Sequence, residues 1–217
     1  IDQSVKNDFQ NYIINEYPMS DLALVPMATA KIKAINGTDP LSYINKRNPS
    51  YWVISSERRI TWLEQPANNN PINEGEWWSD NPSDKMYISF DHDAAKDLGI
   101  QINDNITMNI YGRDITGIVK NFRNVDYADF TINFVMVLNT NYAQSIPHEY
   151  IGTVKLSNQH NFQEYALLQQ FPNISSIKIS NYAEKINQLL NQVNIAVIAL
   201  AVIIIFIGLL VISSAIL

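Results

Sequence analysis

The side chains that could do chemistry are few and scattered. Three histidines stand at positions 92, 148 and 160, and no two have the spacing of a metal-binding pair. Three potential cation ligands adjoin in the run Asp91-His92-Asp93. A metal needs converging ligands backed by a supporting shell, whereas an Asp just before a helix caps the free N–H groups and complements the helix dipole. The run favours the cap. There is no cysteine, which removes thiolate metal sites, disulfide frameworks and a thiol nucleophile. The sequence has no phosphate-cradling glycine loop, no paired-histidine zinc helix and no nucleophile elbow. Asp104, Asp114, Asp126 and Asp129 fall near expected turns, where Asp bonds to nearby backbone. Acid–base catalysis would need two carboxylates facing across a pocket, and the spacing brings no such pair together. No enzymatic activity, cofactor or metal is expected. A net charge of −6 and a pI near 5.0 also argue against nucleic acid as a partner, because phosphate needs a basic face.

Aromatic residues are the densest chemical feature. Trp52, Trp62, Trp77 and Trp78 all lie between positions 52 and 78, with Tyr51 beside them. A functional reading is an apolar groove for lipid or another hydrophobic ligand. It stands against ordinary core packing, which large aromatics usually supply.

The elements that must position these residues read as mixed α and β. Val5, Phe9, Tyr12, Ile13 and Tyr17 have helical spacing, closed by Pro18. Leu22 to Ile35 reads as a long strand ended by Asn36-Gly37, with Pro26 marking an edge or a bulge. Tyr51 to Ser56 and Arg59 to Leu63 read as short strands, and Gln65 to Asn73 as loop. Met86 to Phe90 reads as a strand. Asp91 then caps a short helix that ends at Gly99. Ile106 to Tyr111 and Ile115 to Phe122 form a hairpin through Gly112-Arg113. Further strands are expected at Ile132 to Leu138, Tyr150 to Leu156 and Ser175 to Ile179, with an amphipathic helix from Phe162 to Phe171.

Charge stops at Lys185. From Ile186 to Leu217 there is no Asp, Glu, Lys, Arg or His, and Ile195 to Ile212 is unbroken apolar sequence. The 23 residues from 195 to 217 would make a helix of about 34 Å at 1.5 Å per residue, enough for a hydrocarbon core of about 30 Å. A soluble helix rarely stays apolar on every face for this length, so the bilayer is the expected partner. Tyr182, Ile186, Leu189, Leu190 and Val193 form an apolar stripe just before it. No Gly or Pro interrupts Asn181 to Ile207. A stalk helix running without a joint into the membrane is therefore expected. The start at Ile1 and the stop inside the apolar run read as those of a fragment of a longer membrane protein.

Several blocks taken together are similar to one family. They are Arg59-Ile60-Thr61-Trp62, then Asn70, then Glu74-Gly75-Glu76-Trp77-Trp78. Next comes Ala95-Lys96-Asp97-Leu98-Gly99-Ile100 with Ile102, Asp104 and Ile106-Thr107. Gly112-Arg113-Asp114-Ile115, Val119 to Asp126, and Asn133-Phe134 follow. In order and spacing they resemble permeases of the FtsX/MacB superfamily of ABC transporters, in its YbbP-like branch. Asn103 stands where that pattern has Gly, so the turn there needs a left-handed Asn.

The resemblance implies an α+β fold. Residues 1–180 would form a two-lobed MacB-like extracytoplasmic core domain, 181–194 the stalk helix and 195–217 the transmembrane helix. It implies the bacterial inner membrane, with the bulk of the chain on the periplasmic side. A separate cytoplasmic ATPase subunit would supply the missing nucleotide motifs, and a periplasmic or lipid-handling partner is a further implication. The stalk would pass motion to the outer domain, with lipid or another hydrophobic substrate as the cargo. A membrane-anchored sensory or ligand-binding domain shares the same layout and is the alternative. A tethered hydrolase lacks any nucleophile–base arrangement.

Overall fold

The computed structural model describes residues 1–79, 82, 84–128, 131–156, 162–179, 189–205 and 207. They belong to two units, Ile1–Ile174 and Ser175–Leu217.

In the first unit the strands are β1 (Asp21–Ile35), β2 (Arg58–Leu63), β3 (Ile72–Gly75), β4 (Met86–Asp91), β5 (Asn105–Ile110), β6 (Arg113–Arg123), β7 (Met136–Asn139) and β8 (Glu149–Lys155). The helices are α1 (Lys6–Glu16), α2 (Tyr51–Ser55), α3 (His92–Leu98), α4 (Thr140–Ala143) and α5 (Glu164–Gln170). Six strands close on themselves in the order β1, β2, β7, β4, β6, β5 and back to β1. The β2–β7 and β4–β6 pairs are parallel, and the other pairs in the ring are antiparallel.

Side chains alternate between the two faces of each barrel strand. Ala28, Ala30, Ile60, Trp62, Ile88, Phe90, Ile106, Met108, Met136 and Leu138 fill the main core. Helices α2 and α3 add Val53, Ile54, Ala94, Ala95 and Leu98 to the same core. Closure leaves none of these six strands with a free long edge where the ring is paired.

Strand β1 is longer than the barrel needs. Its first half, Asp21 to Met27, pairs with β8, and only residues from Ala28 onward enter the ring. A second core forms on that extension. Phe9 and Ile13 of α1 meet Leu167 of α5 and Phe171, with Leu22, Leu24 and Val154 against them. Phe171 packs edge-on to Phe9 at 5.6 Å and to Tyr12 at 5.5 Å between ring centroids. Pro26 sits in the β8-paired half, where its missing N–H costs no barrel pairing.

Local signals placed many elements as expected. Asp91 Oδ1 accepts from the Asp93 N–H at 3.0 Å, and Gly99 ends α3 in the left-handed region at φ +71°. Asn103 takes the left-handed conformation its turn requires, at φ +72°.

Other expectations are corrected. Tyr51 to Ser55 is helix rather than strand. The side chain of Asn48 accepts from the Ser50 N–H at 2.9 Å, which starts a turn, and helical geometry lets the adjacent Val53 and Ile54 both be buried. A strand would have put them on opposite faces. The expected strand from Ile132 shortens to β7, because Phe134 and Val135 lend their carbonyls to Arg123 and only Met136 onward pairs with β2. Part of the expected Gln65–Asn73 loop, Ile72 and Asn73, belongs to β3. The hairpin turn falls on Tyr111-Gly112, both at positive φ, one residue earlier than expected.

In the second unit, residues 175–179 form no strand, and residues 189–205 and 207 are helical. Leu189, Leu190 and Val193 are each 61% exposed. Tyr182 and Ile186 of the expected stalk, and residues 206 and 208–217 of the expected membrane span, lie outside the described residues. Among the described residues, no helix is long and apolar enough to cross a membrane.

Candidate functional site

The barrel's outer face along β2, β7, β4 and β6 is where polar chemistry concentrates. Period-two alternation turns Thr61, Ser89, Asn121, Arg123 and Asn139 away from the barrel interior, yet all are 2% exposed or less. A bulge in β6 between the Val119 and Asn121 pairings aligns Asn121 with Ser89 and Arg123 with Asp91. The covering element is the chain from 64 to 79, which includes β3.

Buried polar groups need partners, and these side chains find them in the cover and in each other. Asn121 Nδ2 donates to the Glu76 carbonyl at 3.1 Å, and Ser89 Oγ donates to Asn121 Oδ1. Asn139 Oδ1 accepts from the Tyr87 N–H at 2.8 Å, while its Nδ2 donates to the carbonyls of Pro82 and Lys85. The Thr61 hydroxyl donates to the Pro26 carbonyl at 2.6 Å. Gly75 is fixed by the same cover. Its φ is +78°, and a Cβ there would lie 2.3 Å from the Lys120 carbonyl oxygen.

Among the described residues, Arg123 is the largest fully buried side chain. Its Nε–H donates to Ser89 Oγ at 2.7 Å and its Nη2 to the Phe134 carbonyl at 2.9 Å, with the Ser89 and Val135 carbonyls at 3.4 and 3.5 Å. Burial lowers its pKa to about 10, partly offset by Tyr127 and Asp91, so it stays cationic near neutral pH. Asp91 is shared three ways. It caps α3, accepts from the Tyr127 hydroxyl at 2.7 Å and balances the guanidinium from a distance. Desolvation, followed by the hydrogen bond to Asp91, raises the pKa of the Tyr127 phenol.

Between this face and its cover lies a cavity of about 160 Å³. Val25, Leu63, Trp77, Ile132, Phe134 and Val137 give it apolar walls, and Thr61, Gln65, Asn70 and Arg123 are its polar lining. No carboxylate or imidazole is among these residues.

The four tryptophans fall in three settings. Trp62 is in the main core, edge-on to His148 at 4.9 Å. Trp77 and Trp78 stack at 3.9 Å on the outer face, where Trp78 packs with Tyr87, Phe134 and Val137. Trp52 is 41% exposed, edge-on to Tyr127, with the Arg58 guanidinium 5.0 Å from its ring centre. Of the four, Trp77 lines the cavity, and Trp52 lines a shallower cleft with Arg58, Arg59 and Tyr127. His92 Nδ1 lies 3.1 Å from Asp93 Oδ1, and among the described residues no three His, Asp or Glu gather to hold a metal. Arg123 and Asn70 were not identifiable as a pair from sequence. Asn70 lay inside a run of three Asn, and Arg123 occupied an alternating strand position that would normally face water.

No family model matches the chain. The chain is 23% identical over 164 residues to the uncharacterized ABC transporter permease YbbP of Escherichia coli (strain K12). The match covers 76% of this chain and 19% of that protein, so the chain spans about a fifth of its relative's length.

Proposed function

We propose that the chain is part of an ABC transporter permease. In this reading residues 1–180 are a two-lobed extracytoplasmic domain of the FtsX/MacB type, 181–194 a stalk and 195–217 a helix in the bacterial inner membrane. The observation that carries it is the similarity to YbbP over 76% of the chain. The uncharged run from Ile186 to Leu217 supports the membrane assignment. A separate cytoplasmic ATPase drives motion of the stalk, and the stalk passes that motion along the chain to the outer domain. The substrate is lipid or another hydrophobic molecule.

Two measurements test this. The full chain, expressed in bacteria, should stay with membranes through alkaline carbonate washing; release into the wash would refute the anchor. In the complete permease, Leu189→Asn with Val193→Asn should leave the near-UV circular dichroism of the outer domain unchanged, since both side chains are exposed. The same double variant should lose coupling between ATP hydrolysis and transport. Wild-type coupling in that variant would remove the stalk from the mechanism.

A further inference from the structure

Strands β2 and β7 begin, and β4 and β6 finish, at the same end of the barrel, because β7 runs with β2 and against β4. A cleft of about 330 Å³ opens there, and Trp52, Arg58, Arg59, Tyr127, Phe134 and Val135 are among its walls. Trp52 and Tyr127 are 41% and 51% exposed, and they meet edge-on at 6.2 Å between ring centroids. The Arg58 guanidinium lies over the Trp52 ring, 5.0 Å from its centre. Its Nη2 donates to Ser56 Oγ. Its Nη1 has no partner among the described residues and, unlike the buried Nε, stays open to solvent. Among the described residues no carboxylate pairs with Arg58 or Arg59, and Glu57, the acidic residue of the cleft lining, is exposed. Burial pulls the Arg58 pKa down, with no nearby anion to offset it.

A guanidinium that has given up water without gaining an anion lacks its counter-charge. With two Arg against one Glu, the cleft is also a positive patch on a chain whose net charge is −6. We propose that this cleft is a binding site for a small aromatic carboxylate. The carboxylate accepts from Arg58 Nη1, and the ring packs against Trp52 and Tyr127. The 5.0 Å between guanidinium and indole sets the shape of the ligand, because an anion on the first and a ring on the second must be joined directly or through a short linker. An aliphatic anion meets Arg58 but leaves the two rings in water. A neutral arene covers the rings but leaves the cation without its anion. The proposal stands apart from the permease reading, since the cleft lies within the first unit and uses nothing of the apolar tail.

Benzoate, benzamide and acetate are the probes, titrated into the full chain and followed by ligand-observed NMR and by the indole N–H resonance of Trp52, which Trp52→Leu assigns by its loss. Benzoate is expected to bind with a dissociation constant on the order of 1 mM, in the range for a ligand of about nine heavy atoms, and to move the Trp52 resonance. Benzamide keeps the shape without the charge, and it should bind about fivefold more weakly, the upper worth of an ion pair open to water. Acetate keeps the charge without the ring, and it should also bind about fivefold more weakly, the worth of an aromatic contact. The advantage over benzamide should shrink as salt is added. Arg58→Gln should remove the advantage over benzamide, and Trp52→Leu the advantage over acetate. Arg59→Gln, which removes an equal charge from an exposed position, should weaken benzoate binding about twofold at most. Equal binding of benzoate and benzamide, equal binding of benzoate and acetate, or an unmoved Trp52 resonance would each overturn the proposal. So would the absence of benzoate binding, or a larger loss in Arg59→Gln than in Arg58→Gln. If Arg58→Gln fails to fold, the wild-type comparison of the three probes and Trp52→Leu, a change at an exposed ring, still decide the matter.

Discussion

Gly75 offers the sharpest test of how the cover is held on the barrel. Two effects act against Gly75→Ala. An alanine at φ +78° takes on the left-handed penalty, about 1–2 kcal/mol. Its Cβ would also lie 2.3 Å from the Lys120 carbonyl oxygen and 3.0 Å from the Asn121 Cα, both backbone atoms of the neighbouring strand. Backbone cannot swing aside as a side chain can, so β3 must lift. Lifting breaks the Asn121-to-Glu76 hydrogen bond, 3.1 Å in the native structure, and weakens the pairing of β3 with β6, at a further cost of about 1–2 kcal/mol. The expected loss is about 3 kcal/mol, a fall of about 1.5 M in urea midpoint for a slope near 2 kcal/mol/M. Gly112→Ala is the control. Its φ of +86° is equally left-handed, but nothing lies within 4 Å of the new Cβ, so about 1–2 kcal/mol is expected. Both variants are measured by urea unfolding of the full chain. The stacked Trp77–Trp78 pair contributes to the near-UV circular dichroism of the folded chain, and that spectrum should change only in Gly75→Ala. Equal destabilisation of the two variants, with the tryptophan signal preserved in both, would refute the argument that close approach to β6 fixes this residue.

Three further outcomes follow from the polar groups on this face and from Tyr127, a half-exposed residue whose hydroxyl is bonded to Asp91. Arg123→Ala should destabilise the domain by about 3–5 kcal/mol, because it empties a large volume, strands the Phe134 carbonyl and removes the donor to Ser89 Oγ, which keeps only its own bond to Asn121. Arg123→Met should cost clearly less, since it refills the volume and removes a buried charge; denaturant midpoints of the two variants decide. Asn139→Ala should cost about 2–4 kcal/mol, because the Tyr87 N–H and the carbonyls of Pro82 and Lys85 lose their partners together. The third concerns alkaline titration. With its phenol pKa raised in the folded state, Tyr127 contributes stability that is complete below about pH 10 and is lost as pH rises above the unfolded value. Phenolate absorbance of the folded chain between pH 9 and 11 should therefore be nearly the same in Tyr127→Phe as in the wild type.

The sequence was legible wherever a few adjacent residues fix the backbone. Asp91 before a helix, Gly99 after it and Asn36-Gly37 after β1 each act within one turn of chain, and the structure places each as its local chemistry requires. Legibility failed where a distant partner decides. Tyr51 to Ser55 is a short apolar run with no period of its own, and what makes it helix is the need to bury Val53 and Ile54 on one side of the barrel core. Barrel closure was out of reach for the same reason, since Ala28 meets Ile60, and Ile60 meets Met136, across long stretches of chain.

The candidate site failed to show itself through a different route. Ser89, Asn121 and Arg123 alternate with apolar neighbours as a solvated strand face would, and the motif around Glu74 to Trp78 looks like an aromatic cluster with a glycine in it. Neither half announces the other. Once Gly75 lets the cover approach β6, the same polar face becomes its fastening. The chamber beneath then inherits whatever donors and acceptors the fastening leaves over. On this account a cavity-lining Asn70 and Arg123 are a consequence of how the cover is pinned. A variant of this chain that keeps Gly75 but carries apolar residues of similar volume at positions 70 and 123 should keep the cover pinned to β6 through the Asn121-to-Glu76 hydrogen bond.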